Sequence, residues 1–274
     1  MRSLLKFFFL TYAVSWALWI GVAILSGGTL SPPRGLSIFG DFLLLIGVFA
    51  PGLVALALTA RGEGHAGITA LLCRMVQFPA QARWYIFAVC YFAVIKLTVA
   101  LLHRIAIGDW PAFGQTPWFI MLGAIIVSTP VQAGEEIGWR GYALPRLAKR
   151  IGLARASIVL GVAWGCWHLP FFLIPGSDNS GQSFPVYVLA VTAISVAMAW
   201  LYWRTNGSLF LTMLLHAAVN NTRDILPSTV SVASNSFSLR ASLVAWFTAA
   251  LLWLCAIYFL VRMRGVTLQP AKTT

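Results

Sequence analysis

The stretch that decides the fold is WFIMLGAIIVSTPVQAGEEIGWRGY, residues 118–142, in which a long apolar run leads directly into two adjacent glutamates and an arginine. The whole chain contains only seven acidic residues among 274. A carboxylate near the centre of a membrane helix costs roughly 2.5–3.5 kcal/mol on insertion scales. Two such groups in an apolar helix therefore need partners, and the fold must supply them.

The composition outside this stretch is that of an integral membrane protein. Hydrophobic residues make up 59% of the chain and charged residues 9%, which does not fit an ordinary soluble surface. A bilayer core of about 30 Å takes about 20 apolar residues per helix. The sequence predicts an all-α, polytopic membrane protein with about eight transmembrane helices. The predicted spans lie near residues 5–26, 38–60, 84–104, 117–138, 155–174, 184–203, 206–222 and 240–261.

The domain organisation is simple, because no long polar linker, low-complexity block or evident repeat divides the chain. We expect a single membrane domain over residues 1–274. The polar residues that stand out within predicted spans fall in a core at about 118–222.

The net charge of +12 arises from cations that are distributed among the loops. Nucleic-acid binders cluster their cations on one solvated face, so the pattern does not favour a nucleic-acid partner. Lysine and arginine are instead enriched in cytoplasmic loops of membrane proteins. With a cytoplasmic N-terminus, only Arg34, Arg104, Arg223 and Arg240 fall outside, and Lys96 lies mid-span. We therefore expect a protein of the cell membrane, embedded in the lipid bilayer, with both termini cytoplasmic.

The two glutamates face different directions on their helix. Glu136 precedes Arg140 by four residues, which is the favourable order for an ion pair on a helix. We interpret Glu136 and Arg140 mainly as a structural pair. Glu135 lies about 100° around the helix from Glu136 and needs a different partner. For that reason Glu135 is the stronger candidate for chemistry. Pro130 should bend this helix and open room beside the carboxylate.

A second polar position is His168, the one strongly polar side chain of the span LGVAWGCWHLPFFLIPG, residues 160–176. A lone histidine in an apolar helix is usually a packing residue. Gly161 and Gly165, however, form a small-residue face that permits close helix contact. Trp164 and Gly165 lie on the same side as His168, so the histidine should face other helices and not lipid.

A third polar stripe occurs in GSLFLTMLLHAAVNNT, residues 207–222, where Thr212, His216 and Asn220 recur every four residues. Such a stripe alone could serve as hydrogen-bonding contact between helices. At 1.5 Å per residue, His216 and His168 lie roughly 14 and 20 Å from the inner boundary. Glu135 reaches a similar depth, at least about 16 Å, if the pair with Glu136 holds Arg140 inside the membrane. The sequence thus offers a carboxylate, two imidazoles and an amide at compatible depths.

These three stretches resemble a family of intramembrane proteases that joins the CAAX prenyl endopeptidases to the bacteriocin-processing and abortive-infection proteins. The family motifs are a double glutamate followed by arginine, an aromatic residue with histidine four later, and histidine with asparagine four later. Here they read Glu135-Glu136 with Arg140, Trp164 with His168, and His216 with Asn220. One departure is Trp164, where many members have phenylalanine.

The resemblance implies an all-helical membrane fold, a polar cavity open toward the cytoplasm, and hydrolysis of membrane-associated proteins or peptides. By that analogy Glu135 and His168 hold and deprotonate the attacking water, while His216 and Asn220 stabilise the oxyanion. The family is usually described as metalloproteases, and Glu135, His168 and His216 would be the ligands of a Zn²⁺ ion. Two mechanisms stay open: zinc-bound water, or a glutamate–histidine pair that acts without metal.

Two other classes of function fit some of the same features. Intramembrane glutamate and histidine also mark proton-coupled transporters, although no paired broken helices of the transporter type are evident. A non-catalytic membrane protein, such as an immunity or scaffold factor, would keep the fold without the chemistry. Of the three hypotheses, the sequence favours the intramembrane endopeptidase.

Overall fold

A computed structural model of the chain describes residues 2–28, 37–175, 177, 179, 181–227 and 235–266. The regular elements in these ranges are all helical, which confirms the predicted all-α membrane fold. The α-helices are α1 Arg2–Leu25, α2 Ser37–Cys73, α3 Ala82–Ile107, α4 Trp118–Ser128, α5 Ala133–Glu136, α6 Leu144–Ile151, α7 Leu153–Trp167, α8 Pro170–Leu173, α9 Phe184–Arg204, α10 Leu209–Thr222 and α11 Leu243–Arg262.

The number of spans differs from the expected eight. Within the described residues, five helices are long and apolar enough to cross a membrane: α1, α2, α3, α9 and α11. The bent segment from α4 to α6 makes a sixth if it counts as one span. Helices α7 and α10 occupy the other two predicted positions but have only 15 and 14 residues. At 1.5 Å per residue they extend about 22 and 21 Å, less than the roughly 30 Å of a bilayer core.

The segment that carries the two glutamates is bent and irregular. Its two parts, Trp118–Ser128 and Pro130–Ile151, meet at an angle of 43°, because Pro130 has no backbone donor to continue the helix. The predicted bend is therefore present. Directly after Glu136 the chain forms a π-helical turn, Ile137–Ala143, in which the amide of Leu144 donates to the carbonyl of Trp139. π-Helical turns are rare and occur often at functional sites.

The exposed surface of the bundle is apolar, and its interior carries charge. Large side chains such as Phe9, Ile126 and Val127 are more than 70% exposed. Glu136 and Arg140, in contrast, have no exposed surface. This inversion is the arrangement expected of a protein whose outer face meets lipid, where intramembrane charges face the bundle interior.

Small residues bring the bent segment close to α2. A methyl group added at Gly138 would lie 2.5 Å from the backbone of Pro51, and one added at Gly134 would lie 2.8 Å from the ring of Phe49. The predicted face on α7 makes a similar contact, since a methyl group at Gly161 would lie 2.7 Å from the Cα of Thr192 on α9. Close backbone approach at small residues is a common means of helix association in membranes.

We predict that Gly138→Ala destabilises the protein, because the new methyl group must displace the backbone of α2 around Pro51. Overpacking of this kind typically costs about 1–3 kcal/mol. The measurement is the midpoint of thermal unfolding in detergent micelles. Gly123→Ala is the matched control, since nothing lies within 4 Å of a methyl group there. Equal midpoints for the two variants would contradict the close packing.

Candidate active site

The glutamate–arginine pair expected from the spacing is present and has a third member. Arg140 Nη1 donates to Glu136 Oε1 at 2.8 Å, and both side chains are fully buried. His216 Nδ1 lies 2.9 Å from the same oxygen. Because an ionised carboxylate only accepts hydrogen bonds, Nδ1 of His216 carries the hydrogen. Glu136 thus joins α5 to the π-helical turn and to α10.

Glu135 is held by a different helix. The indole Nε1–H of Trp164 donates to Glu135 Oε2 at 2.6 Å, and both residues are buried. A hydrogen bond to an ionised acceptor is shorter and stronger than a neutral one. In the described part of the chain, Trp164 is the hydrogen-bond partner of this carboxylate, and its second oxygen is left for another donor.

His168 occupies the position where α7 ends. The last carbonyls of a helix have no intrahelical donors, and the carbonyl of Trp164 accepts a hydrogen bond from His168 Nδ1 at 2.9 Å. With the hydrogen on Nδ1, the neutral ring presents a lone pair at Nε2. The rings of Tyr187 and Trp167 pack against the imidazole at centroid distances of 5.6 and 4.8 Å.

Asn220 lies one turn beyond His216 on α10 and is exposed. Its amide Nδ2 approaches Gln132 Oε1 at 3.5 Å, a long hydrogen bond to the segment just before the glutamates. The neighbouring Asn221 donates to Ser128 Oγ at 2.9 Å. These contacts tie the end of α10 to the bent segment on both sides of Pro130.

A cavity of about 620 Å³ connects several of these groups. Trp164, His168, His216 and Asn220 contribute to its wall. The cavity lies toward the end of the bundle at which α9 and α11 begin and α7 and α10 end, and α9 supplies much of its apolar lining. The wall combines apolar side chains with the two imidazoles and several charged and amide groups, which is a composition typical of a ligand-binding pocket.

Metal binding requires several donors directed at one point. Nε2 of each histidine is directed away from the hydrogen bond at its Nδ1, and Glu135 has a spare oxygen. Nevertheless, among the described residues no group of three or more His, Cys, Asp or Glu side chains could hold a metal ion. Glu135, His168 and His216 do not form such a three-ligand group in this geometry, and zinc as a cofactor stays a prediction.

The sequence identified the polar residues of the site but did not predict the partner of His216. Glu135, His168 and His216 each contact Trp164. The indole N–H of Trp164 donates to Glu135, its carbonyl accepts from His168, and its ring lies 5.1 Å from the ring of His216. The partner of His216 is Glu136, which the sequence suggested only as the partner of Arg140. The Glu135–Trp164 bond was missed, although an indole N–H four residues before a candidate histidine is a visible donor.

Comparisons with known proteins agree with the three motifs. Residues 113–222 match the family described as Type II CAAX prenyl endopeptidase Rce1-like. The chain is also 25% identical over 241 residues to "CAAX prenyl protease 2" of Methanococcus maripaludis, which covers 82% of this chain and 85% of the relative. Both comparisons agree with the family resemblance expected from the motifs.

We predict that Glu136→Ala is strongly destabilising, because it leaves the fully buried Arg140 without its carboxylate. Removal of one partner of a buried ion pair costs about 3–5 kcal/mol. Glu63→Ala is the control, since Glu63 pairs with Arg146 at the surface, where such pairs contribute about 0–1 kcal/mol. Denaturant titration in micelles measures both free energies of unfolding. Similar losses of unfolding free energy in the two variants would show that the buried pair stabilises the fold no more than the surface pair does.

Proposed function

Since residues 113–222 match the Rce1-like CAAX prenyl endopeptidase family, we propose that this chain is an intramembrane endopeptidase. Its substrates are membrane-associated proteins or peptides, and the reaction is hydrolysis of a peptide bond. The observation that carries the proposal is the convergence of Glu135, His168 and His216 on Trp164 from three separate helical segments, beside a cavity.

Water activation is the role that suits Glu135 and His168. The free oxygen of Glu135 can accept a hydrogen bond from water, and the lone pair at Nε2 of His168 can accept another. As the water oxygen attacks the scissile carbonyl carbon, its proton passes to this pair. The same proton then moves to the amine as the carbon–nitrogen bond breaks.

Oxyanion stabilisation suits His216 and Asn220. Nδ1 of His216 donates to Glu136, so Nε2 lies on the other side of the ring and is the atom that would contact the oxyanion. The amide of Asn220 has a second N–H beyond the one directed at Gln132. Both donors lie on one face of α10 and could stabilise charge that develops on the carbonyl oxygen.

The orientation in the membrane follows from the distribution of cations. The end of the bundle that contains Cys73, Arg83 and Arg204 has most of the lysines and arginines, and we assign it to the cytoplasm. Both termini then lie on the cytoplasmic side of the cell membrane. The cavity lies near the opposite end, whereas the resemblance to the family implied a cavity open toward the cytoplasm.

The first prediction from this proposal concerns activity. Glu135→Gln and His168→Ala should each lower kcat/KM by about 10²–10⁴-fold, because each removes one half of the proton acceptor. The substrate is a membrane-tethered peptide that ends in a CAAX sequence, assayed with and without a prenyl group in proteoliposomes of the purified protein.

Matched controls are available elsewhere in the chain. Glu63→Gln and His65→Ala alter exposed residues far along the sequence from the site and should retain wild-type rates. If the Glu135 and His168 variants are as active as these controls, the mechanism is wrong. If neither the wild-type protein nor any variant cleaves a membrane-tethered peptide, the endopeptidase proposal is wrong and a non-catalytic role is favoured.

The second prediction concerns metal. Because the described donors do not form a three-ligand group, we expect hydrolysis to persist after dialysis against a strong zinc chelator. Elemental analysis of the purified protein, with Glu135→Gln beside it, should find zinc below one equivalent in both. Loss of activity on chelation that zinc restores, with stoichiometric zinc lost in Glu135→Gln, would establish the zinc mechanism instead.

The third prediction concerns orientation. Cys73 is exposed at the cation-rich end, and Asp109 is exposed at the other end of the bundle. In a background without Cys90, Cys166 and Cys255, an impermeant maleimide should label Asp109→Cys in intact cells. Cys73 should react only after the cells are permeabilised. The reverse pattern would place the cavity end in the cytoplasm.

A further inference from the structure

We propose that Trp164 is the positioning residue of the site: its indole N–H holds the Glu135 carboxylate, and its carbonyl holds the His168 ring, so that one residue aligns both halves of the water-activating pair. This inference rests on the proposed function. It assigns a role to a side chain that the motif requires only to be aromatic.

The indole N–H of Trp164 holds the Glu135 carboxylate. Trp164 Nε1 lies 2.6 Å from Glu135 Oε2, and only 3% of the tryptophan surface is exposed. A tryptophan ring has one donor and no acceptor. Its hydrogen bond therefore fixes which oxygen of Glu135 is occupied and leaves the other oxygen for water.

The backbone carbonyl of Trp164 holds the His168 ring. The carbonyl of Trp164 accepts from His168 Nδ1 at 2.9 Å, because α7 ends before an amide four residues later can take it. This bond fixes the tautomer of the ring and its rotation. The lone pair at Nε2 is thereby directed by the residue that also directs Glu135.

The faces of the indole contact two further members of the site. The guanidinium carbon of Arg140 lies 4.2 Å from the centroid of the Trp164 ring, within the range of a cation–π interaction. The His216 ring meets the indole edge to face at 83° and 5.1 Å. Trp164 thus separates the Glu135–His168 pair from the Glu136–Arg140–His216 cluster and contacts both.

The two links of Trp164 can be separated by substitution. Trp164→Phe keeps an aromatic ring and the carbonyl but removes the N–H. Trp139→Phe is the matched control, because Trp139 is also fully buried and its Nε1 has no hydrogen-bond partner among the described residues. Both variants shorten a buried indole to a phenyl ring, so the control accounts for the loss of indole packing. The phenyl ring at position 164 keeps an aromatic face toward Arg140 and His216, and the NMR measurement below tests the hydrogen bond directly.

The kinetic experiment compares the two variants in proteoliposomes. Because a hydrogen bond to a charged group is stronger than a neutral one, we expect Trp164→Phe to lower kcat by about 10–100-fold, with KM within about twofold of wild type. Trp139→Phe should change kcat by less than about threefold at a similar unfolding midpoint. A loss of kcat no larger than in Trp139→Phe, or a rise in KM alone, would overturn the proposal.

A spectroscopic arm distinguishes this proposal from the protease proposal itself. In full-length protein with ¹⁵N-labelled tryptophan, the Trp164 Nε1–H resonance is identified by its absence from Trp164→Phe. Glu135→Gln should shift this resonance upfield, because a neutral amide is a weaker acceptor than a carboxylate. An unshifted resonance would overturn the hydrogen bond whether or not the protein cleaves peptides. A shifted resonance in a protein without protease activity would refute only the proposed function.

Discussion

The burial of the Glu136 carboxylate is the constraint on which the rest of the structure depends. Glu136 has no exposed surface, and its Oε1 accepts hydrogen bonds from both Arg140 and His216. An uncompensated charge at this depth would be expensive in a protein or in lipid. Compensation needs Arg140 turned inward and α10 placed beside the bent segment. The pair and the histidine therefore determine how α10 meets the helix that carries the glutamates.

Close backbone packing makes that burial feasible. Gly134 and Gly138 allow α2 to approach the bent segment to within van der Waals contact, and the π-helical turn after Glu136 changes the direction of the side chains that follow. On the other side, Gly161 does the same between α7 and α9. Short helices such as α7 and α10 can then end inside the bundle, where helix termini and polar side chains meet the cavity.

The division of labour between the adjacent glutamates follows from this arrangement. One carboxylate, Glu136, accepts from both Arg140 and His216 at the same oxygen, Oε1. The other, Glu135, accepts from a single indole N–H and keeps an oxygen for a further donor. A site of this kind can keep one carboxylate as a fixed counter-charge and use its neighbour for proton transfer. All three motifs lie within residues 113–222, the range that matches the family.

The sequence by itself determined the membrane class, the approximate positions of the helices, the Glu136–Arg140 pair, the bend at Pro130 and the resemblance to the family. Each depends on local composition or on spacing along one helix, so a one-dimensional pattern is sufficient. The sequence also predicted that Glu135, His168 and His216 lie at similar depths in the membrane, because a helix rises by a constant amount per residue.

Only the tertiary structure decided which partner each group takes. The attachment of His216 to Glu136, the bond from Trp164 to Glu135 and the contact between Asn220 and Gln132 join residues 29 to 88 positions apart. The lengths of α7 and α10, too short for full spans, likewise depend on where neighbouring helices end. Such features arise from the relative rotation and translation of packed helices, and periodicity within a single helix does not specify either quantity.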